Sequence, residues 1–153
     1  MLGDATISLE VTHHVRDTCL CLHTQRAART LARRFDEALR PFGLTNEQFS
    51  LLMTLNRPSP APMGALADLL GADRTTLTAA LKTLARRGLV LTSRDPADSR
   101  VRRAALTDEG RSRLARALPA WTAAHGALEA ELAGLDVDQL RGGLNALAVP
   151  APR

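Results

Sequence analysis

Aromatic side chains are scarce in this 153-residue chain, which has three phenylalanines (Phe35, Phe42, Phe49), one tryptophan (Trp121) and no tyrosine. That scarcity argues against nucleic-acid binding by base stacking on aromatic sheets or grooves. Two cysteines, Cys19 and Cys21, are too few for a disulfide framework and too close for an ordinary intrachain staple. No apolar run reaches the ~18 residues of a spanning helix, so no membrane partner is expected. Met1 to Thr12 shows no basic segment followed by an apolar core, and a cytoplasmic location is the expectation. Catalytic groupings are missing too: no GxSxG, no phosphate loop, no HExxH, and no paired carboxylates placed with a histidine. Neither an enzyme nor a cofactor is expected.

What is present is ordinary globular material, 45% hydrophobic and 24% charged, of a length that suits one compact domain with extensions for pairing. The net charge of +4 is unevenly placed. Residues 74–116 hold eleven basic and four acidic side chains, whereas the flanking segments are close to neutral or acidic. A basic stretch in an otherwise neutral chain is the electrostatic footprint of a polyanion binder, although a solvated charged helix face would also produce one.

The pattern along the chain is mostly helical. From about Val11 to Arg40 the apolar positions Leu20, Cys21, Ala27, Ala28, Leu31, Ala32, Phe35, Ala38 and Leu39 fall on one broad stripe. The spacing predicts a single helix of about 45 Å, long enough to bury its stripe against another chain as well as its own. Thr45 with Gln48 has capping-box spacing and opens a second helix. Arg57 to Pro62 reads as a rigid proline-rich connector. Met63 to Leu70 is a short third helix closed by Gly71, and Asp73 caps a fourth that ends near Arg87 and Gly88. Residues 89–93 and 101–106 are strand candidates around a polar, proline-containing loop, which reads as a hairpin. A helix resumes after Thr107 to about Ala133, with Pro119 expected to kink or interrupt it, and a last helix capped by Asp136 runs to about Ala148.

Two short helices around a tight turn, followed by a hairpin, form a winged helix-turn-helix. The fold class is therefore mainly α with a small β-hairpin wing, flanked by N- and C-terminal dimerisation helices. The expected division is 1–42 and 107–153 for the helical dimerisation region and 43–106 for the winged helix-turn-helix. A recognition helix presents short polar or basic side chains at its N-terminal end, because that end enters the major groove. Here the end reads Arg74-Thr75-Thr76-Leu77-Thr78. Thr75, Thr76 and Thr78 suit phosphates, base edges or thymine methyls, and Arg74 a guanine or a phosphate. Lys82 and Arg86 follow Thr78 by four and eight positions, on one face suited to phosphates. The hairpin adds Arg94, Arg100, Arg102 and Arg103, and an arginine at its tip suits a narrow minor groove. Simple helix-start chemistry remains an alternative for Thr75 and Thr76, and a solvated strand edge for Arg102 and Arg103.

Asp98-Ser99-Arg100, five further residues and Leu106-Thr107-Asp108-Glu109-Gly110 resemble the DxR(x5)LTxxG wing pattern of MarR-type regulators. The resemblance continues through Gly43-Leu44-Thr45, Leu66-Ala67, Leu70-Gly71 and Arg86-Arg87-Gly88-Leu89-Val90, so that it spans roughly residues 11–148. It implies a homodimer with interleaved first and last helices, bound to double-stranded DNA at a pseudo-palindromic operator. The fourth helix would lie in the major groove and Arg100 in the minor groove, positioned by Asp98. It also implies a repressor released by a small effector, with an aromatic acid or phenolic compound as the family default, or by oxidation.

The sensor residues are more open. Cys21 lies 22 residues before Gly43, a spacing similar to that of the reactive cysteine in hydroperoxide-sensing relatives. Those relatives support it with tyrosines, which this chain lacks. His14, His23, Arg16 and Arg26 are the near-sequence groups able to favour a thiolate. A small buried hydrophobe, a redox or electrophile sensor, and a ligand contact all remain open for Cys21. On one continuous helix, Cys19 and Cys21 would sit about 200° apart, whereas Cys19 and His23 would share a face as half of a metal site. The remaining histidines offer no spacing to complete it, and no metal is expected.

Overall fold

The computed structural model describes residues 6–148. Helices α1 (Leu9–Thr18) and α2 (Leu20–Leu39) lead through a 3-10 turn to α3 (Asn46–Thr54). Strand β1 (Ala61–Pro62), α4 (Met63–Leu70) and α5 (Arg74–Arg86) follow, then β2 (Val90–Arg94) and β3 (Arg102–Leu106). Two helices close the described chain, α6 (Asp108–Glu131) and α7 (Val137–Ala148). The chain is thus mainly helical, with a small antiparallel sheet of order β1-β3-β2.

Three local expectations require correction. First, the long N-terminal helix is two helices. Cys19 adopts an extended conformation (φ −72°, ψ 103°), where its N–H closes α1 on the Val15 carbonyl and its Sγ accepts from Leu22 N at 3.4 Å. The Thr18 hydroxyl bonds back to the His14 carbonyl at 2.7 Å just before the break. Second, the proline-rich connector ends in a strand. Ala61 and Pro62 pair with Ala104 and Arg103, and Ala61 is fully buried. A two-residue edge strand tolerates a proline and leaves no periodic signal. Third, α6 runs through Pro119 without interruption, with Ala117 buried before it and Trp121 packed after it.

Much of the core comes from leucines brought together by α2, α3, α4, α5 and the sheet, with Leu39, Leu52, Leu66, Leu81, Leu84 and Leu89 almost wholly inaccessible. Three of the four aromatic residues form one knot across α2, α3 and α6. Trp121 stacks on Phe49 (5.9 Å between ring centres) and on Phe35 (6.2 Å), and His125 lies 4.8 Å from the indole. Arg34 of α2 also reaches Glu131 at the end of α6 through two N–H···O bonds of 2.5 and 2.7 Å. The remaining half of the α2 stripe is uncovered: Leu20 is 67% exposed, and Cys21, Ala27 and Ala28 are exposed with it. Among the described residues no helix is long and apolar enough to cross a membrane.

Candidate nucleic-acid interface

Helix α5 is specified by its ends and by one stripe. Asp73 caps it, accepting from Thr76 N at 2.8 Å and from the Thr76 hydroxyl at 2.6 Å. These bonds, the hydroxyl's first, hold the Asp73 carboxyl below its ordinary value. Leu77, Leu81 and Leu84 recur at helical spacing and are buried. Thr75, Lys82 and Arg86 lie on the opposite face, with Arg74 and Thr78 at its margin, and all five are exposed. At the preceding turn, Gly71 ends α4 in the left-handed region (φ 61°), where a side chain would be strained. The tight reversal between α4 and α5 depends on it.

The wing is built around Asp95, which is 8% exposed. Its carboxylate accepts from Ala97 N at 2.7 Å and Asp98 N at 3.3 Å and pairs with the Arg103 guanidinium. The Ala97 amide first, and Arg103 next, hold the Asp95 carboxyl below its ordinary value. Arg103 also donates to the Pro60 carbonyl at 2.9 Å, so it ties the wing to the segment before β1. Arg103 is thus engaged in holding the wing together. Nothing in the sequence distinguished Asp95 or Arg103 as the frame of the wing, because their pairing depends on the hairpin register that sets Arg94 opposite Arg102.

Arg100 points outward. Its side chain is 90% exposed, and its Nε lies 3.1 Å from Asp98 Oδ1, an atom that also accepts from the Arg100 backbone N–H at 3.0 Å. Asp98 thereby orients the arginine while leaving it accessible.

Five of the candidate DNA-contact positions line two adjoining clefts. Arg74 and Thr78 of α5 line a cleft with Arg100 and Arg102 of the wing. Thr78, Lys82 and Arg102 line a second beside it, with Thr92. Arg102 donates to the Thr92 hydroxyl at 3.4 Å, and Arg86 to the Thr83 hydroxyl at 3.4 Å. Arg94 is exposed at the end of β2. Two threonine hydroxyls are already engaged, that of Thr76 on Asp73 and that of Thr78 on the Arg74 carbonyl at 2.7 Å. Thr75 is exposed at the tip of the helix.

The wing is anchored to α6 through the Leu106-to-Gly110 segment. The Thr107 hydroxyl donates to the Gly88 carbonyl at 2.6 Å and accepts from Gly110 N at 2.9 Å, while Thr107 N donates to the Leu89 carbonyl at 3.1 Å. A Cβ on Gly110 would lie 2.1 Å from the Leu89 carbonyl oxygen, so only glycine permits this approach. The threonine and glycine of that motif therefore lock the start of α6 onto the end of the recognition helix.

The cysteines and histidines lie elsewhere, toward the N-terminus. Cys21 is exposed, and its Sγ accepts from Gln25 Nε2 at 3.1 Å. Because Cys19 sits at the helix break, the angle expected between the two thiols on one continuous helix does not apply. His23 Nε2 lies 3.2 Å from the Asp17 carbonyl, and His23 N donates to the Cys19 carbonyl at 3.1 Å. His14 is exposed on α1. Among the described residues no group of three potential ligands is placed to hold a metal ion.

No curated protein sequence matches this chain. The MarR family model matches residues 44–101, the stretch from the start of α3 to the wing. The chain is similar to the M. tuberculosis transcriptional regulator MosR in complex with DNA, at 39% identity over 85% of this chain and 93% of that one, with a TM-score of 0.78. It is also similar to the transcriptional repressor CouR bound to a 23-mer DNA duplex, at 32% identity, 88% and 96% coverage and a TM-score of 0.76. CouR from Rhodococcus jostii RHA1 bound to p-coumaroyl-CoA shares the fold, at 24% identity, 90% and 96% coverage and a TM-score of 0.76. A capped recognition helix, an arginine-bearing wing and this likeness to DNA-bound regulators over most of its length make the chain a member of the MarR family of winged helix-turn-helix transcriptional regulators.

Proposed function

We propose that the chain is a repressor that binds a pseudo-palindromic operator as a homodimer, with residues 43–106 on the DNA and 1–42 and 107–153 forming the dimer. The observation that carries the DNA reading is the common placement of Arg74, Thr78, Lys82, Arg100 and Arg102 around two adjoining clefts. In this reading α5 enters the major groove, with Arg74, Thr75 and Thr78 at the base edges and Lys82 and Arg86 on phosphates. Arg100, aimed by Asp98, enters the minor groove. Support for the dimer comes from the terminal helices, where Leu9, Val15, Leu20, Leu140, Leu144 and Leu147 are all exposed in a single chain. The test is fluorescence anisotropy with the DNA upstream of the protein's own gene against a random duplex, run beside sedimentation analysis. Equal affinity for both duplexes rejects the operator reading, and a monomer at micromolar concentration rejects the dimer.

Release by a small effector is supported by a cleft of about 710 Å³ at the end of α2, lined by Arg33, Arg34, Arg40 and the Gly43-Leu44-Thr45 turn. The same wall carries Asp36 and Glu37, and Arg34 and Arg40 are paired with Glu131 and Glu37, so operator release by a panel of aromatic acids and neutral phenolic compounds tests this.

A second reading, redox or electrophile sensing through Cys21, is favoured by the exposed thiol and its Gln25 donor. It requires that a hydroperoxide release the operator from the native protein and not from Cys21→Ser.

A further inference from the structure

Arg87 is the C-cap of α5, and its guanidinium turns away from the exposed basic face of that helix. Nη2 donates to the Gly43 carbonyl at 2.5 Å and Nη1 to Gln48 Oε1 at 3.0 Å. Gln48 Oε1 also accepts from Thr45 N at 3.2 Å and so closes the capping box that starts α3. Arg87 therefore grips the turn between α2 and α3 at two points, from the end of α5. The fit is close: a Cβ on Gly43 would lie 3.4 Å from Arg87 Nη2, and Gly43 has φ +66°. Arg113 of α6 holds the same turn independently, donating to the Phe42 carbonyl at 3.2 Å and to Glu109 at 2.8 Å.

We infer that Arg87 is a positioning residue for operator recognition, a strut that sets the angle of α5 against the α2–α3 turn without touching DNA. Two of its five N–H groups are committed to acceptors on the turn, although the side chain remains exposed. A planar, forked guanidinium fixes two acceptors in one plane, and a lysine ammonium does not. The turn it grips also forms part of the wall of the cleft at the end of α2, through Gly43 and Thr45. The inference rests on the reading of α5 as the recognition helix.

The test is the ratio of affinities for the operator fragment and a random duplex, measured over a salt series for the wild type, Arg87→Lys and Arg113→Lys, with melting in the same buffer to fix the folded fraction. Arg87→Lys keeps the charge and loses the fork. The expected result is a ratio about tenfold lower, equivalent to roughly one misaligned base contact. Random-duplex affinity and the salt slope should stay unchanged, and Arg113→Lys should keep the wild-type ratio. Arg87→Gln, which retains one amide donor, serves as a second variant with the same expected direction. A ratio within twofold of wild type for Arg87→Lys overturns the strut. So does an equal loss in Arg113→Lys, which would mark a general loosening of the junction. A salt slope for Arg87→Gln shallower by about one per subunit would identify a phosphate contact and overturn it as well. A wild type that fails to discriminate the two duplexes removes the recognition-helix reading itself, and is seen before any variant is made.

Discussion

Asp98 holds Arg100 through three bonds, from Nε at 3.1 Å, from Nη2 at 3.4 Å and from the backbone N–H at 3.0 Å, and leaves the side chain almost entirely in solvent. As an exposed ion pair it adds little to stability. Its effect is orientation, which restricts where the arginine reaches. Arg100→Ala should therefore lower operator affinity by about tenfold or more while the melting temperature changes little. Asp98→Asn, which keeps an acceptor without the charge, should lower it less. Anisotropy titrations at one fixed salt concentration decide both, and an unaffected Arg100→Ala would leave the wing without a role in binding.

Lys82 should act through charge alone. If it meets a phosphate, Lys82→Ala weakens binding to operator and random DNA by a similar factor. It also makes the dependence of log K on log salt shallower by about one per subunit. A selective loss of operator binding would instead mark Lys82 as a base contact.

Gly110→Ala should be strongly destabilising, by about 3 kcal/mol, because the added methyl meets the Leu89 backbone carbonyl and neither α6 nor the hairpin can yield locally. Urea unfolding followed by far-ultraviolet circular dichroism gives the value. A change below about 0.5 kcal/mol would show that the junction between wing and α6 is slack.

Asp95 sets an acid limit on the wing. Its carboxyl lies below the ordinary value of 3.8 because the Ala97 amide and Arg103 favour the charged form. A carboxyl with a lowered folded pKa contributes stability in full above its unfolded pKa and loses it as pH falls through the folded one. The wing contribution should thus be constant from pH 7 to about 5 and fail below about 4. Asp95→Asn should flatten that acid loss in thermal melts taken at successive pH values.

Trp121 links α2, α3 and α6 through its stacking on Phe35 and Phe49. Trp121→Ala should cost about 3 kcal/mol, the low end for a buried indole, since the ring is partly exposed. Chemical unfolding is the measurement, and a loss under about 1 kcal/mol would mean that the leucine core alone unites these helices.

Local chemistry was legible without coordinates wherever one short segment completes it. The Thr45–Gln48 capping box, the Asp73 cap, the Gly71 and Gly88 helix ends and the hairpin around Pro96 each depend on neighbours within a few positions. The excess of basic residues over 74–116 and the Asp98–Arg100 pair are likewise visible directly in the sequence. What needed the tertiary structure involves partners far apart in the chain or bonds that override periodicity. The break at Cys19 lies inside an otherwise helical pattern, and β1 exists only because β3 lies beside it. Arg103 and Arg87 carry the same charge as the arginines expected on DNA, yet their guanidiniums bind Asp95 and Gly43, acceptors that folding brings within reach. Composition and spacing determined which residues are basic and which helix displays them. Only the packing decided which arginines bond to acceptors distant in the chain, because those acceptors come within reach only on folding.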